Sequence, residues 1–223
     1  MAFKDDLYSK IREYTPFKLT HNGVTRELKV PYYYGGKKTP EQIKTALLGT
    51  PDIFTSSGSL KTVSQIQAII NANKIAYGVD CSGFAYYVLN EASGGKVKKQ
   101  FNDASYADGV SASNLTSASN GTVKTKAKDI VPGCTIGLTG HVMVVQSVIN
   151  GMDGRVIQVN YYHSVFISSI AQDGVTIGYI TIGNENQDLN GSSQTWNDGY
   201  EQGSALKNIY TRTILLNSLA TLV

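Results

Sequence analysis

Apolar positions follow a helical period in the first third of the chain and a strand period in the last. Residues 3–14 carry Phe3, Leu7 and Ile11 at spacings of four, which predicts a short amphipathic helix. Residues 24–34 read as a β-rich segment that ends at Gly35-Gly36. Residues 40–49 begin with proline at a first-turn position and end at glycine, as a helix does. Residues 50–61 are rich in Ser, Thr and Gly and read as a loop, and 62–73 return to helical spacing. Asp80 or a neighbour caps a further helix from about Cys81 to Ala92, which stops at Gly94-Gly95.

Residues 96–127 are polar and read as a long excursion with little regular structure. From residue 129 the pattern changes to strands, over 134–138, 141–149, 155–161, 164–170, 174–182 and 208–216. Asn150-Gly151, Asp153-Gly154 and Asp173-Gly174 supply turns between several of them. Residues 184–204 read as a polar loop around Trp196. Helices first and an antiparallel sheet second make an α+β domain. One domain over 1–223, with insertions at 37–76 and 94–127, is the expected organisation.

Composition narrows the function without choosing it. The net charge of +3 over 223 residues is too small, and its lysines too scattered, to point to nucleic acid. No apolar run approaches the ~20 residues of a membrane span, and the N-terminus shows no Sec-type signal. The two cysteines fall in unlike contexts, so a disulfide between them is not expected, and no metal-ligand spacing appears. Neither a metal nor an organic cofactor is implied.

Cys81 is the candidate nucleophile. A thiol opening a helix faces unpaired N–H groups and the positive end of the helix dipole, and both favour thiolate. Its backbone N–H can serve an oxyanion hole, and the small Ser82 and Gly83 let a substrate approach. Phe84, Val88 and Leu89 would seat the helix on the core. His141, beside Gly140 at the start of an apolar strand, is the candidate base. The next strand offers Gln158 as the group that orients the imidazole, with Asn160 second; the two lie two residues apart and share a sheet face. His163, in Tyr161-Tyr162-His163-Ser164, reads as part of a strand turn in a context unlike that of a base.

Three motifs, in order, resemble those of the NlpC-type family of papain-like cell-wall peptidases. They are Pro-Tyr-Tyr-Tyr-Gly-Gly from Pro31, Asp-Cys-Ser-Gly-Phe from Asp80, and the stretch from Asp129 through Pro132-Gly133 to Gly140-His141-Val142. The resemblance covers about residues 31–160. It implies a papain-like fold with Cys81 as nucleophile, His141 as base and Gln158 as third polar residue. Tyr32 and Ser82 would meet substrate, with Gly140 and Asn160 as further contacts. Its activity would be hydrolysis of a peptide bond in peptidoglycan stems, outside the cytoplasm, in periplasm or wall. A secreted antibacterial effector with an immunity protein or a secretion-machine carrier as partner fits that setting. The alternative is a cysteine-dependent deamidase, transglutaminase or acyltransferase acting on a host protein or lipid, since each passes through a thioester. Three departures accompany the resemblance. About forty residues separate the first two motifs, Cys134 replaces an Asp after Pro132-Gly133, and the third polar position is more often His.

Overall fold

The computed structural model describes residues 2–105, 110–167, 172–198 and 203–223. The chain runs α1 (Phe3–Arg12), β1 (Phe17–His21), β2 (Val24–Leu28), α2 (Pro40–Leu48), α3 (Val63–Ala72), α4 (Lys74–Tyr77) and α5 (Cys81–Ala92). It continues with α6 (Lys96–Gln100), α7 (Ala112–Leu115), β3 (Gly121–Lys124), β4 (Thr135–Leu138), β5 (His141–Asn150) and β6 (Val156–Ile167). The last elements are β7 (Gln172–Ile182), β8 (Gln194–Asn197), α8 (Gly203–Asn208) and β9 (Tyr210–Leu216). The architecture is α+β, with a curled seven-stranded antiparallel sheet in the order β3-β9-β4-β5-β6-β7-β8.

The central strand, β5, has its first four residues after His141 fully buried: Val142, Met143, Val144 and Val145. An unbroken apolar run of this kind fits a strand covered on both faces. Helix α1 turns Phe3, Leu7 and Ile11 inward and packs on α5. Tyr14 closes that contact edge-on to Phe84, with ring centroids 5.5 Å apart. Helices α2 and α3 both start with a capping box, Thr39 with Gln42 and Thr62 with Gln65. Among the described residues, no helix is long and apolar enough to cross a membrane.

Several boundaries depart from the sequence expectation. The strand segment expected over 24–34 ends at Leu28 and pairs with β1, which the polar pattern had hidden. Asn22 and Gly23, at φ 47° and 77°, form the turn between them. The excursion after Gly95 contains α6, α7 and β3, and the loop around Trp196 contains β8. Most consequentially, the strands expected at 155–161 and 164–170 are one continuous strand as far as Ile167. Residues 168–170 lie outside the described residues.

Candidate active site

Two sequence motifs interlock to build the floor of the site. The Asp80 N–H donates to Gly36 O at 2.9 Å, and the Val79 N–H donates to Pro31 O at 3.1 Å. This approach leaves no room for side chains: a Cβ on Gly36 would lie 2.6 Å from Gly78 O, and one on Gly83 would lie 2.7 Å from Gly36 O. Ser164 Oγ donates to Val79 O at 2.7 Å, tying the segment before the nucleophile helix to β6. Asp80 then caps α5 through its side chain, which accepts from the Gly83 N–H at 2.6 Å.

The Asp80 carboxylate is also the counter-ion of Lys37, whose ammonium lies 2.8 and 2.9 Å from its two oxygens. Ser82 Oγ donates to Asp80 Oδ1 at 3.0 Å and accepts from Lys37 Nζ at 2.5 Å. The expected substrate contact Ser82 therefore has its single proton committed within the protein. Its residue still lines the cleft, as do Tyr32 and Gly140.

Cys81 is the first residue of α5, and its sulfur faces the backbone N–H of Val142, the residue after His141. The helix mouth and the start of the central strand thus meet at the thiol. Gly140, at φ 73°, makes the turn that starts the strand at His141. Burial pushes the Cys81 thiol above its ordinary range and the Asp80 charge adds to this; Val142 N–H, Lys37 and Ser82 N–H pull the other way. Helix-end activation, expected from the sequence to favour thiolate, is outweighed by desolvation. Tyr32 is pushed up to about 12 by burial and by the neighbouring Cys81 and Asp80, so its hydroxyl stays a donor beside the sulfur.

His141 Nε2 lies 2.8 Å from His163 Nδ1. His163 Nε2 lies 3.3 Å from Asp198 Oδ1, and both of these side chains are buried, at 0% and 1% exposure. Sheet geometry explains the first contact. Val144 pairs with Tyr162, so continuing the register puts His163 beside Met143, one diagonal step from His141 on the same face. Asp198, directly after β8, closes the row. Among the described residues its Oδ2 has no hydrogen-bond partner, and neither has the adjacent Tyr161 hydroxyl, whose pKa is raised by burial first and then by this carboxylate. A small rotation of either group would join them.

The row assigns the imidazole tautomers. Asp198 accepts the Nε2 proton of His163, so His163 Nδ1 accepts from His141 Nε2. That leaves His141 Nδ1 as a lone pair, and it has no hydrogen-bond partner among the described residues. Burial and the neighbouring His163 hold the His141 pKa down at about 3. At neutral pH the resting pair is therefore thiol and neutral imidazole.

The expected third residue, Gln158, is not in this row. Gln158 Nε2 donates to Asn160 Oδ1 at 2.6 Å, and Asn160 Nδ2 donates to Ser147 Oγ at 2.9 Å. Gln158 pairs across the ladder with Ile149, eight residues from His141 along β5, or ~25 Å at about 3.3 Å per residue. Strand alternation also points Gln158 and Asn160 to the face opposite Tyr161 and His163. His163, and not Gln158, lies beside His141, and Asn160 is not among the described residues that line the cleft. With the strand read as broken near Tyr161, the parity that groups His163 with the base face was lost.

Cys134 is buried at 0% exposure and unbridged, and burial pushes its thiol up to about 11. It is a core residue. Among the described residues, no group of three or more His, Cys, Asp or Glu is placed to hold a metal ion.

The chain was also compared with known proteins. No family model, no curated protein and no solved structure matches it.

Proposed function

We propose that this chain is a papain-like cysteine hydrolase of the NlpC type that cuts a peptide bond in the stem peptides of bacterial peptidoglycan. The observation that carries the hydrolase reading is the row His141–His163–Asp198, which starts beside the Cys81 thiol and ends in two buried side chains. A structural thiol needs no oriented imidazole, and a buried carboxylate whose one hydrogen-bonded partner among the described residues is a histidine is costly without a use. The wall substrate rests on the likeness of the three motifs, two of which interlock at the site floor.

The resting charges shape the mechanism. The thiol and imidazole begin neutral, so the proton leaves Sγ as the sulfur attacks the carbonyl carbon. His141 Nδ1 takes it, and the new imidazolium is stabilised through His163 by the Asp198 charge. The carbonyl oxygen becomes an oxyanion, which the Cys81 N–H and the hydroxyl of Tyr32 on the cleft wall would meet. Collapse breaks the C–N bond, and His141 returns the proton to the leaving nitrogen. Water, deprotonated by the same imidazole, then hydrolyses the thioester and restores the thiol.

A substrate in the wall sets the site of action in the periplasm or wall. Digestion of purified peptidoglycan, read by mass spectrometry, tests the reading. Wild type should release stem fragments with new amino termini, and Cys81→Ala should release none. No release from any wall chemotype would move the enzyme to another thioester reaction, such as deamidation or acyl transfer on a protein.

A further inference from the structure

We propose that the cleft continues past the thiol, over the Gly140 turn, into a subsite where Arg212 binds a carboxylate on the leaving half of the substrate. This rests on the cysteine hydrolase reading above, and it names what that hydrolase recognises.

Two cavities meet at the site. One, of about 480 Å³, holds Cys81 together with Tyr32, Lys37, Asp80 and Ser82. The other, of about 340 Å³, reaches Arg212 past Thr139 and Thr211. Ala112, Ser113 and Gly140 line both, so the two form one trough beneath α7. Helix α7 comes from the segment after Gly95, and the Ser111 cap that starts it also lines the first cavity.

The charges of the trough are unevenly matched. Among the described residues its walls carry three charged side chains: Lys37, Asp80 and Arg212. Lys37 and Asp80 cancel each other in a pair whose side chains are only 15% and 10% exposed. Among the described residues Arg212 has no ion pair or hydrogen bond, and no acid among them lines its cavity. The remaining polar side chains among the described lining there are hydroxyls, from Ser113, Thr116, Ser117, Thr139 and Thr211. An arginine fork without a counter-ion, among hydroxyl groups, suits a planar carboxylate that accepts two hydrogen bonds. Arg212 is held on the sheet, because β9 pairs it with Gly137 on β4, just before the Gly140 turn.

The position of His141 gives the trough a direction. The imidazole must hand its proton to the leaving nitrogen, so the leaving half lies on the imidazole side of the sulfur. Gly140 is bonded to His141 and forms the threshold to the Arg212 cavity. The acyl half then lies against Tyr32 and the Lys37–Asp80 pair. In the reaction the Sγ–C bond forms, the C–N bond breaks, and the thiol proton departs on the amine whose carboxylate Arg212 holds.

Microscopic reversibility provides a test that needs no knowledge of the natural substrate. p-Nitrophenyl acetate acetylates the thiol with a burst of nitrophenolate, and the acetyl-enzyme then partitions between water and an added amine. Alanine and Ala-Ala are each compared with their C-terminal amides as acceptors, in wild type, Arg212→Gln and Arg212→Lys. The ratio between variants cancels the intrinsic difference in amine nucleophilicity. Wild type should favour the free carboxylates about 10-fold more than Arg212→Gln does, with Arg212→Lys between them. A burst in wild type with equal partition ratios in all three would overturn the Arg212 subsite alone. No burst in wild type, where Cys81→Ala also gives none, would overturn the hydrolase reading and the subsite with it.

Discussion

Strands β5 and β6 carry two rows of side-chain hydrogen bonds, one on each face of the sheet. At one end His141, His163 and Asp198 are linked at 2.8 and 3.3 Å; at the other Ser147, Asn160 and Gln158 are linked at 2.9 and 2.6 Å. By distance alone the amide row is the tighter. The rows differ in where they end and what surrounds them. The histidine row has Tyr161 packed edge-on against His163, ends in a buried carboxylate, and begins at a half-buried His141 beside a thiol. The amide row is half-exposed and joins neutral groups only. Water competes for an exposed amide, whereas a buried charge fixes the orientation of whatever pairs with it. Hydrogen bonding across a strand pair therefore marks a site only when a charge and a reactive group terminate it.

Removing either end of the histidine row at the thiol should have the largest effect. Cys81→Ala and His141→Ala are each expected to lower kcat by about 10⁴-fold or more, with unchanged circular dichroism. Activity retained in either variant on wall fragments would break the comparison at its root. One step back, His163→Ala and Asp198→Asn should cost roughly 10²–10³-fold. The reason for Asp198→Asn is tautomeric. Its amide can donate to His163 Nε2, which moves the ring proton to Nδ1. His163 then donates to His141, whose own proton shifts to Nδ1 and blocks the lone pair that takes the thiol proton. A ring-nitrogen NMR spectrum of Asp198→Asn should show the exchanged tautomers. Wild-type tautomers with wild-type rate would remove Asp198 from the mechanism.

Protonation gives a second, smaller separation of the rows, because only one of them titrates. The raised thiol pKa means that iodoacetamide labelling of Cys81 should rise with pH through a midpoint above the ordinary value of 9.0. Stability should also depend on pH through His141. Its folded pKa of about 3 lies below the ordinary 6.5, so the unfolded chain binds more protons between those values. The contribution is complete above pH 6.5 and is lost as the pH falls toward 3, at no more than ~1.4 kcal/mol per pH unit. Urea unfolding at pH 7 and pH 4 should show a smaller difference for His141→Gln than for wild type. An equal difference would place the missing protons elsewhere.

The parts of this picture legible in the sequence were those with local causes. Asp80 as a cap, Cys81 at a helix start and His141 after a turn glycine each follow from a few adjacent residues. The α+β order was legible for the same reason, because helical and strand periods differ over short windows. Long-range causes were not legible. His163 was passed over because Tyr161-Tyr162-His163-Ser164 looks like an interruption, while its continuity depends on pairing with Gly178 to Val175 on β7. Opposite Tyr161, β7 carries Gly178, where a Cβ would lie 2.4 Å from the tyrosine ring, so the aromatic is accommodated by a gap on another strand. Asp198 had no signal at all. It follows a four-residue strand, β8, and its role exists only where that strand brings it to His163. Gln158 lies in an apolar run, yet Ile157 beside it is 44% exposed, so an apolar run did not mean burial.

The amide row supplies the most sensitive check, because its expected effect is nearly nothing. Gln158→Ala removes one half-exposed hydrogen bond far from the thiol and Asn160→Ala removes two. Both should change kcat/KM by less than about 2-fold and stability by no more than ~0.5–1 kcal/mol. The two substitutions together should stay below about 3-fold, since they belong to one row and share a bond. Their exposure also leaves water to replace the lost partner, which is why no desolvation penalty accumulates. A 100-fold loss in Gln158→Ala, with an unfolding midpoint like that of wild type, would mean that the far face of the sheet reaches the chemistry after all. The distinction between a charge-terminated row and an open, neutral one would then fail as a guide to which polar ladder in a sheet is working on substrate.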